Sequence, residues 1–114
     1  MQLSELLTQL AQSPERVQFS DVMQVIAEHY NYQPCAFQNG ALDNEAGQNE
    51  GSCKLFAFAK LHNLTEQQTL HCFGDYYRVD VLAHPNATDH QNIRNFIQTG
   101  WQGIDYSSTP LAAK

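Results

Sequence analysis

Asn39–Ala59 reads NGALDNEAGQNEGSCKLFAFA, and its two halves follow different rules. The first half is turn chemistry. Asn39, Gly40, Asp43, Asn44, Gly47, Asn49 and Gly51 recur too densely for a helix or a long strand to persist. From Cys53 onward the stretch becomes apolar, with Leu55, Phe56, Phe58 and Ala59 close together. A loop of about a dozen residues inside a compact domain is usually functional or disordered. This one runs straight into the most hydrophobic helix of the chain, which favours order. A site, if the chain has one, is expected here.

Working outward from that stretch, amphipathic periodicity places the helices. Leu3, Leu6, Leu7 and Leu10 form a stripe behind Ser4 as cap, giving a helix to about Gln12 that Ser13-Pro14 ends. Phe19 and Ser20-Asp21 open a second helix with Val22, Val25, Ile26 and Tyr30 on one face. Cys35–Gln38, ending in Asn-Gly, reads as a short strand. After the loop, Ser52 is the expected cap of a centrally buried helix to about His62.

Thr65-Glu66-Gln67-Gln68 is a capping box opening a helix through Leu70, Phe73, Tyr77 and Val81, with Gly74 as a kink before Pro85. Asp89 is the expected cap of a last helix bearing Ile93, Phe96 and Ile97, with Gly100 as terminator. Trp101–Tyr106 reads as a second strand, paired with the first. The sum is a helix-rich α+β single domain over residues 1–106, with about five helices, a small two-stranded sheet and a flexible tail at 107–114.

Composition narrows the function classes. At 114 residues there is room for one ordinary domain. Hydrophobic residues make up 42% and charged residues only 16%, so a core is affordable and the polarity comes from Asn and Gln. A net charge of −6 with only six Lys and Arg weighs against nucleic acid and against anionic membrane surfaces. MQLSELLTQL has neither the basic leader nor the apolar run of a signal peptide. Cys35, Cys53 and Cys72 are odd in number and widely spaced, which fits free thiols in a reducing cytoplasm.

Several residues carry candidate chemistry. Cys53, in the first helical turn beside Lys54, would have its thiolate favoured by the helix dipole, and His84 or His90 with Asn92 behind it would complete a nucleophile. The competing reading is a small buried apolar residue. Asn49, Gly51, Ser52 and Lys54 could cradle a small anion at a helix start. Arg78, Asp80, His90 and Arg94 could build a polar pocket beside that loop, or simply tie loops to helices. The five histidines show no metal-ligand spacing, so no metal and no cofactor are expected.

Four blocks together carry a resemblance: Asn39–Ala59, TLHCFGDYYRVDVLAHP at Thr69–Pro85, DHQNIRNF at Asp89–Phe96, and GWQGI at Gly100–Ile104. They resemble the HopJ type III effector family of small bacterial proteins. The resemblance implies secretion by plant pathogens into host cells, and it brings no agreed reaction, cofactor or catalytic set. The expectation is therefore a HopJ-like, non-enzymatic domain that binds a small anionic ligand or a protein. The alternatives are a small hydrolase or transferase using Cys53, and a secreted effector that binds a host protein.

Overall fold

The computed structural model describes residues 1–114 as a helix-rich α+β fold around one apolar core. Helix α1 (Leu3–Gln12) buries Leu6 and Leu10, and α2 (Phe19–His29) buries Val22, Val25 and Ile26, as their stripes require. Helix α1 begins two residues earlier than expected, with Gln2 rather than Ser4 as its cap, while α2 begins at Phe19 as expected. At α1 the Glu5 carboxylate accepts from the Gln2 backbone N–H at 3.4 Å, which extends the first turn past Ser4. Helix α3 (Glu50–Leu61) is the central element: Leu55, Phe56, Phe58 and Ala59 are each fully buried. Phe56 is packed by the rings of Phe73, Phe96 and Trp101 at 5.4, 4.9 and 6.4 Å between centroids.

The strands are short. β1 (Tyr30–Tyr32), β2 (Phe37–Asn39), β3 (Leu42–Asn44), β4 (Ile104–Tyr106) and β5 (Leu111–Ala113) form two antiparallel sheets. β2 does pair with β4, Phe37 opposite Tyr106, as expected. It also pairs with β3 through the tight turn at Gly40-Ala41, with Gly40 at φ 61°. The expected single two-stranded sheet is thus a three-stranded sheet, β3-β2-β4, plus a separate β1-β5 pair. The segment expected to fray as a tail supplies β5. Leu111 is 2% exposed, so an apolar anchor holds what composition alone reads as loose.

Downstream of α3, the Thr65 capping box forms as expected: the Gln68 N–H donates to Thr65 Oγ1, and the Thr65 N–H donates to Gln68 Oε1. The helix it starts, α4 (Glu66–His71), is shorter than expected. Gly74 takes φ 62°, which turns the chain rather than kinking it, and Tyr76–Val81 follows as a wider π-helical segment. A Cβ at Gly74 would lie 2.9 Å from the backbone nitrogen of Phe19, so only glycine lets these two backbones meet. α5 (Gln91–Thr99) ends at Gly100, φ 59°, as expected.

The caps of α3 and α5 are displaced from their expected positions. Asn49, not Ser52, caps α3, and His90, not Asp89, caps α5. Both caps are in the left-handed region, at φ 50° and 51°, and neither side chain bonds back to its helix. Rules that look for a side-chain oxygen accepting from the first turn miss such starts.

Candidate functional site

The two left-handed caps bring the beginnings of α3 and α5 to one cavity of about 590 Å³, within the usual size range for a small-ligand pocket. Asn49, Gly51 and Ser52 come from the first helix start, and His90, Gln91, Asn92 and Ile93 from the second. Phe19, Phe73 and Tyr76 form an aromatic wall: Phe19 meets Tyr76 edge-on at 5.3 Å and lies parallel to Phe73 at 6.3 Å. Gly51 is glycine because a Cβ there would stand 3.0 Å from Phe19 Cζ. The N–H groups of the first helical turns lack intrahelical acceptors by construction, and no cap side chain takes them here.

Behind the cavity lies a network of asparagines that holds the two helix starts against the hairpin. Asn39 Nδ2 donates to the Asn92 carbonyl at 2.8 Å and to Asn92 Oδ1 at 3.0 Å. Asn44 and Asn92 exchange amide bonds at 3.2 and 3.0 Å, and Asn49 Nδ2 donates to Asn44 Oδ1 at 2.7 Å. Asn39, Asn44 and Asn92 are buried. The hairpin register explains the geometry: Asn39 and Asn44 both sit on the inward positions of β2 and β3. By sequence Asn39, Asn44 and Asn49 read as turn formers and Asn92 as the residue behind a candidate histidine; in the fold the four bond one another instead. The available signal was a polar residue on the buried phase of an alternating strand.

Of the expected site residues, Asn49, Gly51, Ser52 and His90 converge. Asp80 joins them at one remove, accepting from His90 Nε2 at 3.1 Å. The basic residues do not. Lys54 Nζ sits 4.6 Å above the Tyr32 ring. Arg78 donates to the carbonyls of Pro14, Val17 and His71, tying the chain before α2 to the turn after α4. Arg94 donates to the His84 and Asp89 carbonyls at 2.8 and 2.6 Å and pairs with Asp89 Oδ1 at 2.7 Å, which holds that carboxyl below its usual range. Arg78 and Arg94 are loop ties, so the expected cluster of cations around an anion is corrected.

The Cys53 nucleophile is corrected as well. Its side chain is 1% exposed, and the Sγ–H points at the Cys35 carbonyl, 3.9 Å away. Burial, with Cys35 beside it, pushes the thiol up to about 11, opposite to the shift expected of an activated thiolate. Tyr106 closes this flank, its hydroxyl donating to the Cys53 carbonyl at 2.7 Å. His90 is engaged with Asp80, not with Cys53. No three His, Cys, Asp or Glu side chains gather to hold a metal ion. No helix is long and apolar enough to cross a membrane.

A compact α+β domain with one hydrogen-bonding cavity between two helix starts is the class of protein these features define. The chain belongs to the family described as HopJ type III effector protein, which it matches over residues 3–111. Its fold is also that of the crystal structure of VPA0580, a protein of unknown function. The two chains are 51% identical, with a TM-score of 0.98, covering 100% of this chain and 95% of that one. No curated protein matches it.

Proposed function

We propose that this HopJ-family protein is a non-enzymatic domain that binds a small ligand in the cavity between α3 and α5. One observation carries the reading: two helices of different sequence both start with a left-handed cap, and both open their first turns onto the same space. Left-handed conformations at non-glycine residues cost energy and persist where surrounding structure enforces them, often at ligand clamps. Here the buried asparagine network holds Asn49 through Asn44, and Asp80 holds His90.

A thermal-shift screen of the full chain against a broad metabolite panel tests this. At least one compound is expected to stabilise the protein, and Gly51→Leu, which fills the cavity, is expected to abolish that shift. Tyr76→Ala, at a half-exposed position, is the milder second variant and is expected to reduce it. Stabilisation that both variants leave intact contradicts the reading, and so does catalytic turnover of a bound compound. The family supports a second reading, delivery into a host cell as an effector. A translocation reporter fused to the first residues tests it, and absence of the reporter from host cells rejects it.

A further inference from the structure

The chemistry of the cavity specifies more than a small ligand. None of its eleven lining residues is Asp, Glu, Lys or Arg. Lys54, Arg78 and Arg94 are held by Tyr32, by carbonyls and by Asp89 respectively. Of the carboxylates beside His90, Asp80 accepts from its Nε2 and Asp89 is paired with Arg94. Glu50, in the first turn of α3, offsets the positive end of that helix. An ionised ligand enclosed here would leave its hydration for no full counter-charge: the helix starts offer only partial positive charge, which Glu50 opposes at α3. An uncharged ligand avoids that loss.

Two further features describe its shape. Tyr76 is 46% exposed although its ring touches both Phe19 and His90, at 5.3 Å each, so a large aromatic surface remains open. The polar residues offer uncommitted atoms of both kinds. Asn49 uses its Nδ2 on Asn44, leaving Oδ1 and a second N–H, and Gln91 uses its Nε2 on the Thr88 carbonyl, leaving Oε1. His90 Nδ1 is likewise uncommitted. Side-chain amides read the edge of a nitrogen heterocycle, where donors and acceptors alternate, while aromatic rings take its face.

We infer that the cavity takes an uncharged, planar nitrogen heterocycle of one or two rings, of the nucleobase or nicotinamide kind. Its face lies on Tyr76, with the Phe19 ring, nearly perpendicular to Tyr76, against its rim, and its edge is read by Asn49 and Gln91. This rests on the small-ligand reading above and narrows it.

The test is calorimetric titration of the full chain with adenine, hypoxanthine, cytosine and nicotinamide. Cyclohexanecarboxamide (an amide without an aromatic face), benzoate and inorganic phosphate serve as comparisons. At least one heterocycle is expected to bind more tightly than all three comparisons. Tyr76→Ala is expected to weaken it by about tenfold, the usual loss for a stacked ring, and Gln91→Leu by a smaller factor. Tighter binding of benzoate or phosphate overturns the inference, as does heterocycle binding indifferent to Tyr76→Ala. If no heterocycle binds but another compound is lost with Gly51→Leu, this inference fails and the small-ligand reading stands. If nothing binds, both fail.

Discussion

Ser52 and Cys53 are joined by one peptide bond and end in opposite environments. A helix turns about 100° per residue, so consecutive side chains at the start of α3 serve different flanks. Ser52 lines the open cavity with Asn49 and His90. Cys53 faces a sealed layer built from Cys35, Tyr32 and Tyr106, where burial raises the ionisable groups: Cys53 to about 11, Tyr32 to about 12, and Tyr106 beyond its usual range. One flank holds polar groups that remain accessible; the other holds polar groups that burial keeps neutral. Reactive residue types in a promising motif therefore do not mark the site. The side of the helix they occupy does.

The largest effect that can break this comparison comes from the asparagine layer. Asn92→Ala removes the partner of both Asn39 and Asn44 in a buried setting. It is expected to cost about 2–3 kcal/mol in urea unfolding, the loss typical of stranded buried amides. A change within experimental error means the network is decoration. Gly74→Ala comes next, at about 1–3 kcal/mol, because a left-handed φ of 62° and the Phe19 backbone both oppose a Cβ. Structure determination of that variant is expected to show Phe19 displaced within the aromatic wall.

The thiol flank gives a pH prediction. A folded-state pKa of about 11 against an ordinary 9.0 means that folding favours the protonated Cys53. The unfolded chain loses its proton first, so stability is full below pH 9 and falls as pH rises toward 11. Cys72, pushed up to about 12 by burial, adds to the fall. Alkaline denaturation is expected to shift to higher pH in Cys53→Ala. Iodoacetamide at neutral pH is expected to label Cys53 no faster than Cys35 or Cys72, and fast, selective labelling of Cys53 contradicts the sealed flank. The smallest effect belongs to Lys54→Met, which removes a half-exposed cation from the Tyr32 ring. It is expected to cost about 0.5–1 kcal/mol, with ligand binding unchanged.

Much of the fold was legible because it depends on local rules. The stripes of α1 and α2, the Thr65 capping box, the Gly100 terminator and the pairing of β2 with β4 follow from periodicity and turn chemistry. The failures share a cause: the deciding contact is distant in sequence. Leu111 holds β5 only because a core waits for it. Asn49 and His90 take left-handed caps because Asn44 and Asp80 hold their side chains. Of the site, the sequence located one helix start and His90, but not the aromatic wall. No local pattern marks Phe19 or Tyr76 for that wall, and only the fold leaves their rings facing a cavity.

The account stands on the claim that ligands enter between the two helix starts and nowhere on the thiol flank. Backbone amide chemical shifts, followed while a stabilising compound is titrated into the labelled full chain, test it most directly. Shifts concentrated at Asn49, Ser52, Tyr76, His90 and Gln91, with Cys35, Cys53 and Tyr106 still, are the predicted result. Shifts centred on Cys53 and Tyr106, with the two helix starts unmoved, contradict it.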